Sequence, residues 1–202
     1  MNEQHSGIEV SVINESWFEI LAHRKSELQQ QGKESDKNRM IAVFGGAVPS
    51  PKSSRYTQAF NVGVELAKQG AIVVNGGFGG VMEATAAGAR SVGGITVGIT
   101  CENLPAKVNE YIDVEWQVSR WGQRLLALVF LSDGYAVMPG SSGTLVELSV
   151  VIETQIKGFI PARPIVCLGG HWSSVVKRIA GTTDMISFVR SPTELAKILT
   201  QK

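Results

Sequence analysis

Apolar residues recur along the chain in two rhythms. Short, largely apolar runs at 40–44, 71–74, 95–99, 135–138, 164–168 and 185–189, most of them next to turn residues, predict strands. Between them the apolar positions spread to helical spacing: Tyr56, Phe60, Val64 and Leu66; then Val81, Met82, Ala86 and Ala89; then Leu145, Leu148, Ile152 and Ile156. Ser53-Ser54 opens the first of these helices and Gly70 closes it. Further helices are predicted from Arg120 into Leu131, from Trp172 to Ala180, and from Pro192, behind Ser191 as cap, to Leu199. Strand, turn and helix in alternation predict an α/β fold: a Rossmann-like, doubly wound, mostly parallel sheet with helices on both faces. Residues 100–116 keep neither rhythm. They read as a long irregular connection at the point where the sheet changes direction, which is where such folds bind ligands. Residues 1–38 are predicted as an N-terminal helix, capped by Ser16 and running through Trp17, Phe18 and Leu28, followed by a polar linker. Residues 39–202 are expected to form the main domain, with a crevice of mononucleotide size across the carboxyl ends of its strands. Trp17 and Phe18 are expected to pack on that domain or on a partner subunit.

The turns carry the candidate chemistry. Gly45-Gly46 follows the first strand, and Asn75-Gly76-Gly77-Phe78-Gly79-Gly80 follows the second. Pro139-Gly140-Ser141-Ser142-Gly143-Thr144 lies between the 135–138 strand and the helix expected from Leu145. Small residues there expose backbone N–H groups at the positive end of a helix dipole, an arrangement that favours phosphate or carboxylate. Glu147 stands one turn into the helix. It either complements the dipole or works as an acid or base beside a bound phosphate ester. Glu83 has the same two readings, a carboxylate at a helix N-terminus or a ligand contact.

Composition narrows the function by exclusion. The 202 residues suffice for one domain with a real core. Nineteen basic against 18 acidic residues give net +1, which marks no polyanion, so neither a nucleic-acid nor a membrane partner is expected. Cys101 and Cys167 lack metal-type spacing. No secretory signal and no apolar run of membrane length are present, so a cytoplasmic location is expected. NGGFGG is not a spaced dinucleotide fingerprint, and no acidic residue ends the second strand to hold a ribose. Neither a phosphate-loop GK[ST] nor a G-x-S-x-G elbow occurs. His5, His23 and His171 are scattered, which argues against a serine triad or a metal site, and His171 reads as a helix cap.

Two segments, NGGFGGVM at 75–82 and PGSSGTLVE at 139–147, resemble the signatures G-G-G-x-x-G-x-M and P-G-G-x-G-T-x-x-E of the "lonely guy" family, first described as lysine decarboxylases. The resemblance covers about residues 39–200. It implies a homodimeric or larger Rossmann-like enzyme that binds a nucleoside 5′-monophosphate and hydrolyses it to free base and ribose 5-phosphate, with no added cofactor. The motif glutamate corresponds to Glu147, and the family's helix arginine corresponds to Arg124; these are the implied catalytic residues. Gly45, Gly46, Gly76, Gly77, Gly79, Gly80, Glu83 and Gly140 to Thr144 would hold the phosphorylated ligand. The chain departs from the pattern at Leu125, where the family has Lys, at Ser141 for Gly, and at Pro105-Ala106-Lys107 for Pro-Arg-Glu. The GGVMEA segment is similar to molybdenum-cofactor carrier proteins, which implies an alternative: a protein that holds a nucleotide or pterin phosphate without cleaving it.

Overall fold

The computed structural model describes residues 16–30, 38–48, 50–179 and 184–201. Within them, seven strands form one wholly parallel sheet. In chain order the elements are α1 (Ser16–Gln30), β1 (Met40–Phe44), α2 (Ser54–Lys68), β2 (Ile72–Asn75), α3 (Val81–Ser91), β3 (Thr96–Cys101), β4 (Val114–Val118), α4 (Trp121–Phe130), β5 (Gly134–Val137), α5 (Ser142–Ile156), β6 (Ile165–Leu168), α6 (Ser173–Val176), β7 (Ile186–Val189) and α7 (Pro192–Thr200). The spatial order β4-β3-β2-β1-β5-β6-β7 is doubly wound. β1 pairs with β2 on one side and with β5 on the other, Ile41 opposite Gly134 and Phe44 opposite Val137. The crevice of the fold therefore opens between the carboxyl ends of β1 and β5.

Strand alternation sends side chains to two cores. Met40, Ala42 and Phe44 of β1 join residues of α1, α4, α5 and α6 on one face, while Ile41 and Val43 join α2, α3 and α7 on the other. All five β1 residues are buried, as a central parallel strand requires. α2 and α3 cross in backbone contact: a Cβ placed on Gly63 would lie 2.0 Å from the Thr85 carbonyl oxygen, and one on Gly88 would lie 1.9 Å from that of Phe60. α1 packs through Phe18 edge-on to Phe130, ring centroids 6.0 Å apart. Its Lys25 donates to Asp133 at 2.5 Å and to the Leu131 carbonyl at 2.8 Å, tying the helix to the entrance of β5.

The structure corrects four sequence expectations about the elements and their order. Residues 114–118, expected within an irregular connection, are the edge strand β4. Edge strands need one apolar face, so Trp116 and Val118 are buried while Glu115 and Gln117 are exposed, and no continuous apolar run forms. The reversal of strand order does not fall at 100–116; it falls where α4 carries the chain from β4 back across the sheet to β5. α5 starts at Ser142 rather than Leu145, so the preceding turn is shorter and small polar residues form the first helical turn. The helix expected at 172–180 is regular only over Ser173–Val176. Residues 1–15 and most of the linker expected before residue 39 lie outside the described residues.

Candidate functional site

Three glycine-bearing turns meet at the crevice, with Gly46 joining them. The Gly46 N–H donates to the Pro139 carbonyl at 3.2 Å, and the Gly46 carbonyl accepts from the Val81 N–H at 3.0 Å. The turn after β1 thus bridges the turn after β2 and the turn after β5. Gly80 reaches this junction with φ +69°, and a Cβ on it would meet the Ala47 carbonyl carbon at 2.4 Å and the Gly46 oxygen at 2.6 Å. Both its conformation and its surroundings require glycine. Gly45 packs against Val81 on the same junction.

The turn after β2 is held by two asparagines that sequence reasoning gave no role. Asn75 is wholly buried; its Oδ1 accepts from the Gly77 N–H at 2.8 Å, and its Nδ2 donates to the Met82 carbonyl at 3.0 Å. An asparagine accepting from the N–H two residues on is a recognised turn signal, and it was legible before the glycines. Asn109, from the β3–β4 connection, donates its Nδ2 to the Gly77 and Phe78 carbonyls at 3.0 and 2.9 Å. That contact links residues 31 or more apart and has no local sequence signature.

The turn after β5 leads into a helix end without a side-chain cap. Ser141 is the N-cap residue, and no side-chain cap bond forms there. The first backbone bond of α5 runs from the Leu145 N–H to the Ser141 carbonyl at 3.1 Å, so the N–H groups of Ser142, Gly143 and Thr144 precede the helical ladder. Ser141, Ser142 and Gly143 are exposed, whereas Thr144 is buried and folds its hydroxyl against Gly140. The geometry suits an anion.

Arg124 and Glu147 approach from α4 and α5. Arg124 is 8% exposed; its Nε donates to the Ile99 carbonyl at 2.9 Å and one terminal nitrogen to the Gly76 carbonyl at 3.2 Å. Its guanidinium carbon stands 5.4 Å from the centre of the Phe78 ring. Two of its donor directions are therefore spent on the backbone, and Arg124 braces the end of β3 against the glycine turn. Glu147 is half-buried. Burial pushes its carboxyl up to about 7, against the opposing pull of the Arg124 charge. Burial likewise lowers Arg124 from its ordinary value, while Glu147 draws it back up. The pair shares one field inside the fold.

Glu83, in the first turn of α3, accepts a hydrogen bond from the Tyr56 hydroxyl at 3.1 Å. Burial, then that bond and the Glu83 charge, push the Tyr56 phenol up to about 12. His171 does not cap α6, whose N-cap is Trp172; its Nε2 lies 3.2 Å from the Gly140 carbonyl oxygen. Among the described residues, no group of three or more His, Cys, Asp or Glu is placed to hold a metal ion. No described helix is long and apolar enough to cross a membrane.

Gly76 shows how tightly Arg124 is seated. A Cβ there would fall 1.6 Å from its terminal nitrogen and 2.8 Å from the Met82 sulfur. Gly76→Ala is expected to dislodge the guanidinium and cost about 2 kcal/mol, read as a fall of about 4–8 °C in Tm. An unchanged Tm would mean that the guanidinium relocates freely.

Residues 38–196 match the model of the SLOG cluster4 family. The chain belongs to that family. As a SLOG cluster4 member it is 28% identical over 158 residues to a cytokinin riboside 5′-monophosphate phosphoribohydrolase of Arabidopsis thaliana, covering 76% of this chain and 73% of that one. It is 32% identical over 117 residues to a probable enzyme of the same description from Oryza sativa subsp. japonica, covering 56% of this chain and 48% of the other. The chain spans about half to two thirds of the length of several relatives it matches. Among solved structures, the molybdenum cofactor binding protein of Rippkaea orientalis superposes with TM-score 0.66 at 24% identity over 80% of this chain and 94% of that one. DNA processing protein A of Helicobacter pylori, which binds single-stranded DNA, superposes with TM-score 0.59 at 15% identity over 81% of each chain. These likenesses establish the α/β Rossmann-like fold.

Proposed function

We propose that the protein hydrolyses the N-glycosidic bond of a nucleoside 5′-monophosphate, releasing free base and ribose 5-phosphate. The observation that carries this reading is Glu147, held half-buried one turn into α5 with its carboxyl pushed up to about 7. Desolvating a carboxylate is costly, and a protein that only holds a phosphate gains nothing from a second negative charge beside it. Glycosidic cleavage gains from it, because the sugar passes through an oxocarbenium-like state. A carboxylate beside C1′ stabilises that charge or activates the attacking water. The first-turn N–H groups of α5, with the Ser141 and Ser142 hydroxyls, anchor the 5′-phosphate as a remote handle whose binding energy aids the chemical step. Arg124 supplies positive charge and keeps the Gly76 turn in place. The relatives named phosphoribohydrolases support the reading. The α5 face of exposed Val146 and half-buried Leu145 and Val150, lining an apolar hollow of about 480 Å³, fits a homodimer contact. The reaction calls on no added cofactor and no nucleic acid.

The pH profile tests the role of Glu147. The carboxylate form is the working one, so kcat for base release is expected to rise through about pH 7 and level off above it. Bound phosphate adds a like charge and moves the midpoint upward, not downward. A kcat that falls across this range would make Glu147 a proton donor instead.

A second reading rests on Arg124. Its side chain is committed to the Ile99 and Gly76 carbonyls, so it is not free to clamp a phosphate with both arms. That favours a carrier which holds a nucleotide or molybdenum-cofactor phosphate on the α5 N-terminus and returns it intact.

A further inference from the structure

His171 stands outside the two sequence motifs, in the turn that follows β6. β6 flanks β5 on the side opposite β1. Its Nε2 lies 3.2 Å from the Gly140 carbonyl oxygen, and its ring sits edge-on to Trp172 with centroids 4.7 Å apart. Trp172 is itself fixed, donating its indole N–H to the Met138 carbonyl at 2.9 Å. Two consecutive side chains of the β6 turn therefore hold two carbonyls of the segment that ends β5. The 140–141 peptide is trans, so its C=O and N–H point in opposite directions. A Gly140 carbonyl turned toward His171, on the β6 side, sends the Ser141 N–H back toward β1, into the crevice.

We propose that His171 is a positioning residue for the anion site: by donating Nε2–H to the Gly140 carbonyl it aims the Ser141 N–H at the ligand phosphate. The proposal rests on the reading that this turn binds phosphate. In the absence of the donor the peptide is free to rotate, and its carbonyl then faces the anion and repels it. The side chain acts through the backbone and touches no reacting atom. Its own exposure makes it dispensable for folding.

The test is calorimetric titration of ribose 5-phosphate into wild-type protein and into His171→Phe and His171→Gln. Phenylalanine keeps the ring against Trp172 and lacks the donor; glutamine places an N–H near the Nε2 position. His171→Phe is expected to bind roughly tenfold more weakly, the worth of one hydrogen bond that orients a charge-binding amide. His171→Gln is expected to recover to within roughly threefold of wild type, with Tm unchanged in both. In amide NMR the Ser141 resonance is expected to shift on ligand addition in wild type and His171→Gln, and not in His171→Phe. Wild-type affinity in His171→Phe, or a glutamine variant as weak as phenylalanine, overturns the proposal while leaving the phosphate site standing. Failure of wild-type protein to bind ribose 5-phosphate overturns the phosphate site and this proposal with it.

Discussion

Glu147→Gln is expected to lower release of free base by about a thousandfold while ribose 5-phosphate still binds. The amide keeps the shape and burial of the carboxyl but cannot carry negative charge toward the sugar or take a proton from water. The same variant has a stability signature of opposite sense. A carboxyl whose folded value is raised from 4.5 to about 7 favours the protonated fold. Its contribution is fully present below pH 4.5 and is lost as pH climbs through about 7. Glutamine removes that loss, so the Tm difference between variant and wild type is expected to move in favour of the variant from pH 5 to pH 8. Calorimetry at the two pH values checks this, and stabilisation together with lost turnover is the mark of a site held at a cost to the fold. Retained turnover would remove Glu147 from the reaction. A Tm difference independent of pH would mean that the carboxyl is not raised.

Gly88→Ala is expected to produce the largest loss of stability outside the site. The new Cβ would lie 1.9 Å from the Phe60 carbonyl oxygen and 2.8 Å from its carbon, and backbone cannot rotate aside as a side chain can. α2 and α3 must separate, which opens the layer built on Ala59, Val62, Ala84 and Ala89. Overpacking at such a contact costs about 3 kcal/mol, a fall of roughly 6–12 °C in Tm for a chain of this size. Gly122→Ala is the control. Nothing lies within 4 Å of its added Cβ, on the exposed first turn of α4, so it should be neutral or slightly stabilising. A Tm for Gly88→Ala within about 1 °C of wild type would contradict the backbone contact.

Much of this architecture was legible because buried parallel strands write themselves as short apolar runs. Met40–Phe44 and the strands at 72, 96, 134 and 165 appear within a residue or two of where those runs predict them, as does the edge strand β7, although its Ser187 and Phe188 are exposed. β4 was not legible because an edge strand needs only alternate apolar positions, and Glu115 and Gln117 hid it. That omission also displaced the reversal of strand order by one element. The glycine turns and Glu147 could be found from residue type and spacing alone. Asn109 and His171 could not, since each acts on a turn more than 30 residues away in the chain. Arg124 was given as a position by the family resemblance; its packing adds what the sequence does not show, two bonds to the Ile99 and Gly76 carbonyls. Residues spent on holding turns look, in a sequence, the same as residues kept for a ligand.

Hydrolysis requires that the crevice cleave its nucleotide rather than carry it. The most direct measurement is a single-turnover incubation of excess protein with a panel of nucleoside 5′-monophosphates, followed by chromatographic quantification of base and sugar phosphate. Equimolar free base and ribose 5-phosphate are expected from at least one nucleotide, and intact nucleotide when Glu147→Gln replaces the wild type. Quantitative recovery of every nucleotide from wild-type protein that binds ribose 5-phosphate would contradict it and leave the carrier.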